Sequence, residues 1–141
     1  MLHETLKDAR GVYTLLIYVG RDLEVKVRSG RSFAVYRGLY AYTGSALGSG
    51  SSSLGGRIYR HLFRRGKLFW HIDHLLSSRV AKVLAVVYAE TDRRVECEVN
   101  ERLKSRLGCR AISGFGSSDC RSRCEGHLLK LNDMDLGGVM S

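Results

Sequence analysis

From Val12 to Val19 the chain is an almost unbroken β-branched and aromatic run, bounded by Gly11 and by Gly20-Arg21-Asp22. Such a run predicts a central strand. Leu23 to Arg28 then alternates apolar and charged residues with period two, as a half-exposed antiparallel partner does, and Gly20 with its neighbours supplies the hairpin turn. Ser29-Gly30-Arg31 is a second turn. Phe33 to Ser45 holds one strand, or two interrupted near Arg37-Gly38. The pattern predicts a three-stranded antiparallel sheet, with Tyr13 and Tyr42 meeting on one face.

Gly44 to Gly56 is a loop of Gly, Ser, Ala and Leu, too small and polar to build structure of its own, which leaves it to move or to clamp a ligand. Helical periodicity begins at about Leu54. Ile58 and Leu62 share an apolar stripe with Tyr59 and Phe63 beside it, while Arg57, His61 and Arg64 fall at i, i+4 and i+7 on another face. Gly66 ends that helix, Leu68 to Leu76 predicts a second short one, and Val80 to Tyr88 a further strand. Thr91-Asp92 offers an N-cap for a helix from Arg93 to Leu107, with Val95, Val99, Leu103 and Leu107 as its buried stripe and Glu96 at the rim. Cys109 to Asp119 is irregular, Gly126 to Leu131 reads as a last edge strand, and residues 132–141 as a loose tail. No repeat or linker divides the chain. The expectation is one α/β domain of the α+β type, a small, mainly antiparallel sheet flanked by helices, with its core at about residues 10–131.

Composition narrows the partners. At 141 residues, 44% hydrophobic and 26% charged, the chain is an ordinary globular domain. No stretch approaches the roughly 18 consecutive apolar residues of a membrane span. The opening residues lack the apolar run of a secretory signal, so a cytoplasmic protein without a membrane partner is expected. The net charge is +9, carried by 17 arginines and 6 lysines. Arginine's planar fork suits phosphate oxygens, so the balance favours a polyanion, DNA or RNA. Residues 57 to 67 concentrate this charge. Arg57, Arg60, Arg64, Arg65 and Lys67 occur there with no acid, and the last four, with Ser45 at the end of the tyrosine strand, are the candidate nucleic-acid contacts.

Four cysteines, Cys97, Cys109, Cys120 and Cys124, lie in the C-terminal third. Disulfides are disfavoured in a cytoplasmic chain outside hyperthermophiles, and free buried thiols are expected. A structural zinc on Cys109, Cys120, Cys124 and His127 is disfavoured too, because the spacings are loose and no second close cysteine pair supports them.

Phosphodiester cleavage needs an activated water, a stabiliser of the charge on the pentacovalent phosphate and usually a divalent ion on a carboxylate. Tyr13 and Tyr42 are candidates for orienting or deprotonating the water. Arg57 can pair with the phosphate, and Glu96 can hold magnesium with waters completing its shell. His71, Asp73 and His74 fall within one helical turn; Asp73 is suited to holding His71 or a helix arginine in place. His127 is a candidate second partner for the Asp119 loop.

Gly11-Val12-Tyr13, Tyr42-Thr43-Gly44, Arg57 with His61 one turn on, and Glu96, in this order, together resemble the motifs of the GIY-YIG nuclease family. The likeness covers roughly residues 10 to 107. Tyr40 to Ala46, Trp70-His71-Ile72-Asp73, Phe115 to Cys120 and His127-Leu128 further resemble a small stand-alone branch of that superfamily, sometimes fused to a DNA-repair glycosylase. The resemblance implies a small antiparallel sheet flanked by helices, and hydrolysis of a DNA strand with one divalent ion, Mg2+ or Mn2+. It implies Tyr13 as general base assisted by Tyr42, Arg57 and His61 on the phosphate or leaving group, and Glu96 as metal ligand. This sequence departs from the family in three ways. Thr43 replaces an aliphatic residue, the stretch from Leu23 to Arg28 adds a strand, and Gly108 stands where the family often has an asparagine, leaving Ser117, Ser118 or Asp119 as replacements.

The expected function is therefore a metal-dependent endonuclease acting on branched or damaged DNA in repair or recombination. The alternative is a DNA-binding module that recruits a repair enzyme without useful catalysis. A third is a zinc-stabilised or redox-responsive adaptor built on the C-terminal cysteines.

Overall fold

The structure, a computed structural model, describes residues 6–63, 68, 70–116 and 125–131. The apolar run forms β1 (Gly11–Val19), which is central as its composition predicts. It pairs antiparallel with β4 (Gly38–Ala46) on one side and with β5 (Ala81–Glu90) on the other. Beyond β4 lie β7 (Leu128–Lys130) and then β6 (Arg110–Ala111), so the five-stranded sheet has the order β5-β1-β4-β7-β6. The predicted last strand is thus internal. It is covered by β6, whose two residues are too short to leave a pattern in the sequence.

The stretch after β1 behaves differently from its prediction. β2 (Leu23–Lys26) does not pair with β1 but with β3 (Ser32–Val35), and the two form a separate sheet. Both edges of β1 are already taken by strands of nine and ten residues that match its length, whereas β2 has four. Buried Val25, Phe33 and Val35 close this hairpin over the core. The alternative with a break at Arg37-Gly38 is the one observed, since β3 ends at Val35 and β4 starts at Gly38.

Period two along β1 puts Tyr13, Leu15, Ile17 and Val19 on one buried face. Helices α1 (Leu54–Phe63) and α2 (His71–Leu76) supply Leu54, Ile58, Ile72, Leu75 and Leu76 to the same core. Each such side chain contributes about 1.5–3 kcal/mol by leaving water. A third helix, α3 (Glu96–Leu107), packs against β4.

Three local expectations change. The Gly/Ser stretch does build structure: β4 runs on to Ala46, Gly50–Ser52 forms a turn of 3-10 helix, and Ser53 caps α1. Its hydroxyl donates to Gly50 O at 2.6 Å and accepts from Gly56 N at 3.1 Å. Serine side chains bonding to nearby backbone give the segment its order. In α1 the inward stripe is Leu54, Ile58 and His61, and Leu62 is turned out to 42% exposure. The helix begins its contact with the sheet at Leu54, and i+4 and i+7 from there reach Ile58 and His61. α3 begins at Glu96 rather than Arg93, and its buried positions are Glu96 and Asn100, while Val95, Val99 and Leu103 are half-buried and Leu107 is exposed. Its inward face meets polar partners: Asn100 Nδ2 donates to Gly126 O at 2.7 Å. Gly108, at φ 63°, ends the helix in the left-handed conformation that glycine adopts most readily. The predicted helix end at Gly66 and the tail at 132–141 lie outside the described residues.

No helix among the described residues is long and apolar enough to cross a membrane.

Candidate functional site

Antiparallel register sets Tyr13 directly opposite Gly44, and Leu15 opposite Tyr42. A side chain at Gly44 would place its Cβ 2.7 Å from the Tyr13 hydroxyl oxygen, so the glycine is what leaves room for the phenol. Tyr13 and Tyr42 share the buried face, as expected, and both line a cavity of about 980 Å³. Arg57 and His61 from α1, Trp70 and His71 from the start of α2, and Glu96 from α3 line it as well. Ser45 lies on the other side of β4 from Tyr42 and Gly44 by strand alternation, yet it lines the same cavity, which therefore reaches around the end of β4.

One wall is dry. The Tyr13 hydroxyl and His61 Nε2 are 2.7 Å apart, and the two residues are only 3% and 2% exposed. Burial pushes the Tyr13 phenol up, with Arg57 acting in the opposite direction. Burial also brings the His61 imidazole down to about 4. Both groups are neutral near pH 7. The hydrogen bond joins two neutral groups, and the other ring nitrogen, His61 Nδ1, is buried with no hydrogen-bond partner among the described residues.

The other wall is ionic. Burial tends to raise the Glu96 carboxyl, but the Ser45 hydroxyl, the Glu96 backbone amide and Arg94 together hold it below the usual glutamate range. Ser45 Oγ donates to Glu96 Oε2, and Arg94 Nη1 reaches Oε1 at 3.3 Å. Glu96 is thus a carboxylate at neutral pH, fixed at the first turn of a helix where negative charge is favoured.

Between the walls, α2 organises the arginines. Trp70 lies beneath the Arg57 guanidinium, at 4.4 Å from its ring centroid, and Arg60 stands 5.0 Å from the same ring. Arg60 Nη2 also donates to Asp73 Oδ2 at 2.9 Å, and that oxygen accepts from Trp70 N at 2.9 Å. Asp73 thus holds a helix arginine, one of the two roles foreseen for it. Arg60 is therefore braced within the protein rather than extended on the surface. His71 Nδ1 accepts from Gly116 N at 2.9 Å, which puts its proton on Nε2. His127 also lines the cavity; Nδ1 donates to Thr43 O at 3.1 Å, and Nε2 lies 3.4 Å from Cys97 Sγ.

The structure thus brings together Tyr13, Tyr42, Ser45, Arg57, His61, His71, Glu96 and His127, with Arg60 and Asp73 behind them. The candidate contacts Arg64, Arg65 and Lys67, and the candidates Ser117, Ser118 and Asp119, lie outside the described residues. Among the described residues no three His, Cys, Asp or Glu side chains are grouped to hold a metal. Cys97 is disulfide-bonded, against the expectation of free thiols, and Cys109 is buried. Cys120 and Cys124 lie outside the described residues. Sequence reasoning missed Trp70 as a platform for arginine, Arg94 as a partner of Glu96, and the true role of Ser45. Only the first left a signal, a lone tryptophan beside a cationic helix.

A tyrosine–histidine pair and an ionised glutamate, facing each other across one cavity at the end of an antiparallel sheet, define the class of α+β protein. Over residues 12–137 the sequence matches the family described as Domain of unknown function DUF123, and the chain belongs to that family. No curated protein and no solved structure matches it.

Proposed function

We propose that the protein is a metal-dependent endonuclease that hydrolyses phosphodiester bonds in DNA, acting on branched or damaged structure in repair or recombination. One observation carries the reading: Tyr13, Tyr42, Arg57, His61 and Glu96, from four separate elements, converge on one cavity. The resemblance to GIY-YIG nucleases assigns chemistry to the same residues. The reading assigns the protein to the cytoplasm, where DNA is within reach.

The chemistry follows from the two walls. Tyr13 cannot act as a free phenolate, because burial disfavours that form. It can take a proton from water while its own passes to His61 Nε2, 2.7 Å away. Burial makes the resulting imidazolium costly, and the negative charge of a phosphodiester beside it offsets that cost. Arg57 lines the cavity and the Trp70 ring holds its guanidinium in place, so the guanidinium can donate to a phosphate oxygen there. Glu96 fits a hard divalent ion: it is a fixed, ionised oxygen donor at the cavity wall. Among the described residues Glu96 is the one carboxylate lining the cavity, a donor set that suits magnesium or manganese, which keep several waters and take substrate phosphate as ligand. Bound there, the ion supplies Lewis-acid stabilisation of the pentacovalent phosphate.

The test is a panel of nicked, flapped, branched and plasmid DNA incubated with pure protein and Mg2+ or Mn2+. Cleavage is expected in wild type and absent in Glu96→Ala and Arg57→Ala that retain their circular dichroism. DNA affinity, read by fluorescence anisotropy, is expected to fall steeply with salt as counterions are released. Salt-independent or absent binding rejects DNA as the partner. A second reading, a binding module that recruits a repair enzyme, draws on the high affinity of buried Tyr13 for its proton. Salt-dependent binding with no product above the variants decides for it.

A further inference from the structure

β5 has one neighbour among the described residues, β1, so no described strand pairs with the backbone N–H and C=O groups of its outer edge. It is ten residues long and apolar through its middle. Leu84, Val87 and Tyr88 are 48%, 69% and 40% exposed. Edge strands are normally blunted by proline, by central charge or by brevity. This one has none of these: its only charges are Lys82 and Glu90 near its ends, and the chain contains no proline. The one irregularity, a bulge opposite Leu16 and Ile17, falls toward the Lys82 end and leaves Ala85 to Glu90 regular.

We propose that β5 is the interface with a second copy of this chain, pairing antiparallel with its own counterpart about a two-fold axis. Charge selects this occupant. The chain as a whole carries +9, so two copies repel across most approaches, whereas residues 81–90 carry one Lys and one Glu and are neutral. Antiparallel self-pairing also runs the Lys82 end of one strand beside the Glu90 end of the other, twice by symmetry. A parallel arrangement would set like charges together. A register centred on Val86 puts Val87 over Ala85 of the other copy and brings Tyr88 toward Leu84, the extra residue of the bulge, so each exposed apolar side chain gains an apolar neighbour. All pairs in the parent sheet are antiparallel, and the added strand continues that geometry. The axis is perpendicular to the sheet, so the two cavities lie on one side of it.

The experiment measures the mass of the full chain by light scattering and sedimentation equilibrium, without DNA or metal, so it is independent of the nuclease reading. The expected result is a concentration-dependent shift from the 15.8 kDa monomer to twice that mass. Val87→Lys, an exposed position, brings two ammonium groups close to the axis and is expected to weaken the dimer at least about a hundredfold. Lys82→Glu and Glu90→Lys each set like charges together and weaken it about three- to tenfold, while the double swap restores wild-type dissociation. Circular dichroism confirms that each variant folds. A monomer at every concentration overturns the proposal, as does a dimer indifferent to Val87→Lys or weakened further by the double swap. Protection of the β5 amides from hydrogen exchange in a monomer also overturns it, since another segment would then cover the edge.

Discussion

The two walls of the cavity reach opposite electrostatic states although the side chains of both are little exposed. Tyr13 and His61, at 3% and 2% exposure, are held neutral, while Glu96, at 8%, is held ionised. The difference lies in depth, since Glu96 sits nearer the surface, and in what each group can bond to. Tyr13 has His61 and the Arg57 guanidinium, and the guanidinium's pull toward the phenolate does not overcome the deeper burial. Glu96 has a serine hydroxyl, its own helix amide and a guanidinium, all favouring the anion. In the proposed reaction a proton moves at one wall and a cation is held at the other, and the cavity at the end of β4 puts the two environments side by side.

The sharpest way to separate the walls is Tyr13→Phe. It removes the proton carrier and is expected to lower cleavage about 10²- to 10⁴-fold. Magnesium affinity, read by calorimetry, should stay unchanged because the Glu96 wall is untouched; a parallel loss of metal binding would show the walls are coupled. The next largest effect is on stability. The unfolded His61 imidazole takes up a proton below about 6.5, the folded one only below about 4. The unfolded state thus binds more protons in that window, so the contribution is complete above pH 6.5 and is lost as pH falls toward 4. The loss is on the order of 3 kcal/mol, measured by denaturant unfolding, and His61→Phe should remove that part of the slope. Gly44→Ala should push the Tyr13 ring off its partner, at about 1–3 kcal/mol of stability, with a matching drop in cleavage. Ser45→Ala is the mildest change. Losing its hydrogen bond costs Glu96 about 1 kcal/mol, and metal binding should then require a slightly higher pH.

Long elements with a clean period were legible in the sequence: β1 and β5 stand close to where their apolar runs put them, and Tyr13 and Tyr42 share a face as alternation requires. What failed was pairing and contact over distance. Nothing in the period-two pattern of β2 says that β5 already holds the edge of β1. Leu62 and His61 were exchanged between surface and core because their helical phase depends on where α1 first touches the sheet. α3 was read as an apolar stripe, but its buried positions are Glu96 and Asn100, whose partners lie far away in the chain. Ser45, a candidate phosphate contact, is bonded to Glu96, a relation across 51 positions that spacing cannot show.

The most direct test of the central claim is single-turnover cleavage of a labelled branched DNA against magnesium concentration, wild type beside Glu96→Ala. The account predicts saturable, magnesium-dependent nicking by wild type and a loss of about three orders of magnitude in the variant, as several kcal/mol of transition-state stabilisation disappear. Equal products from both proteins, or none from wild type while it binds the same DNA, would contradict it.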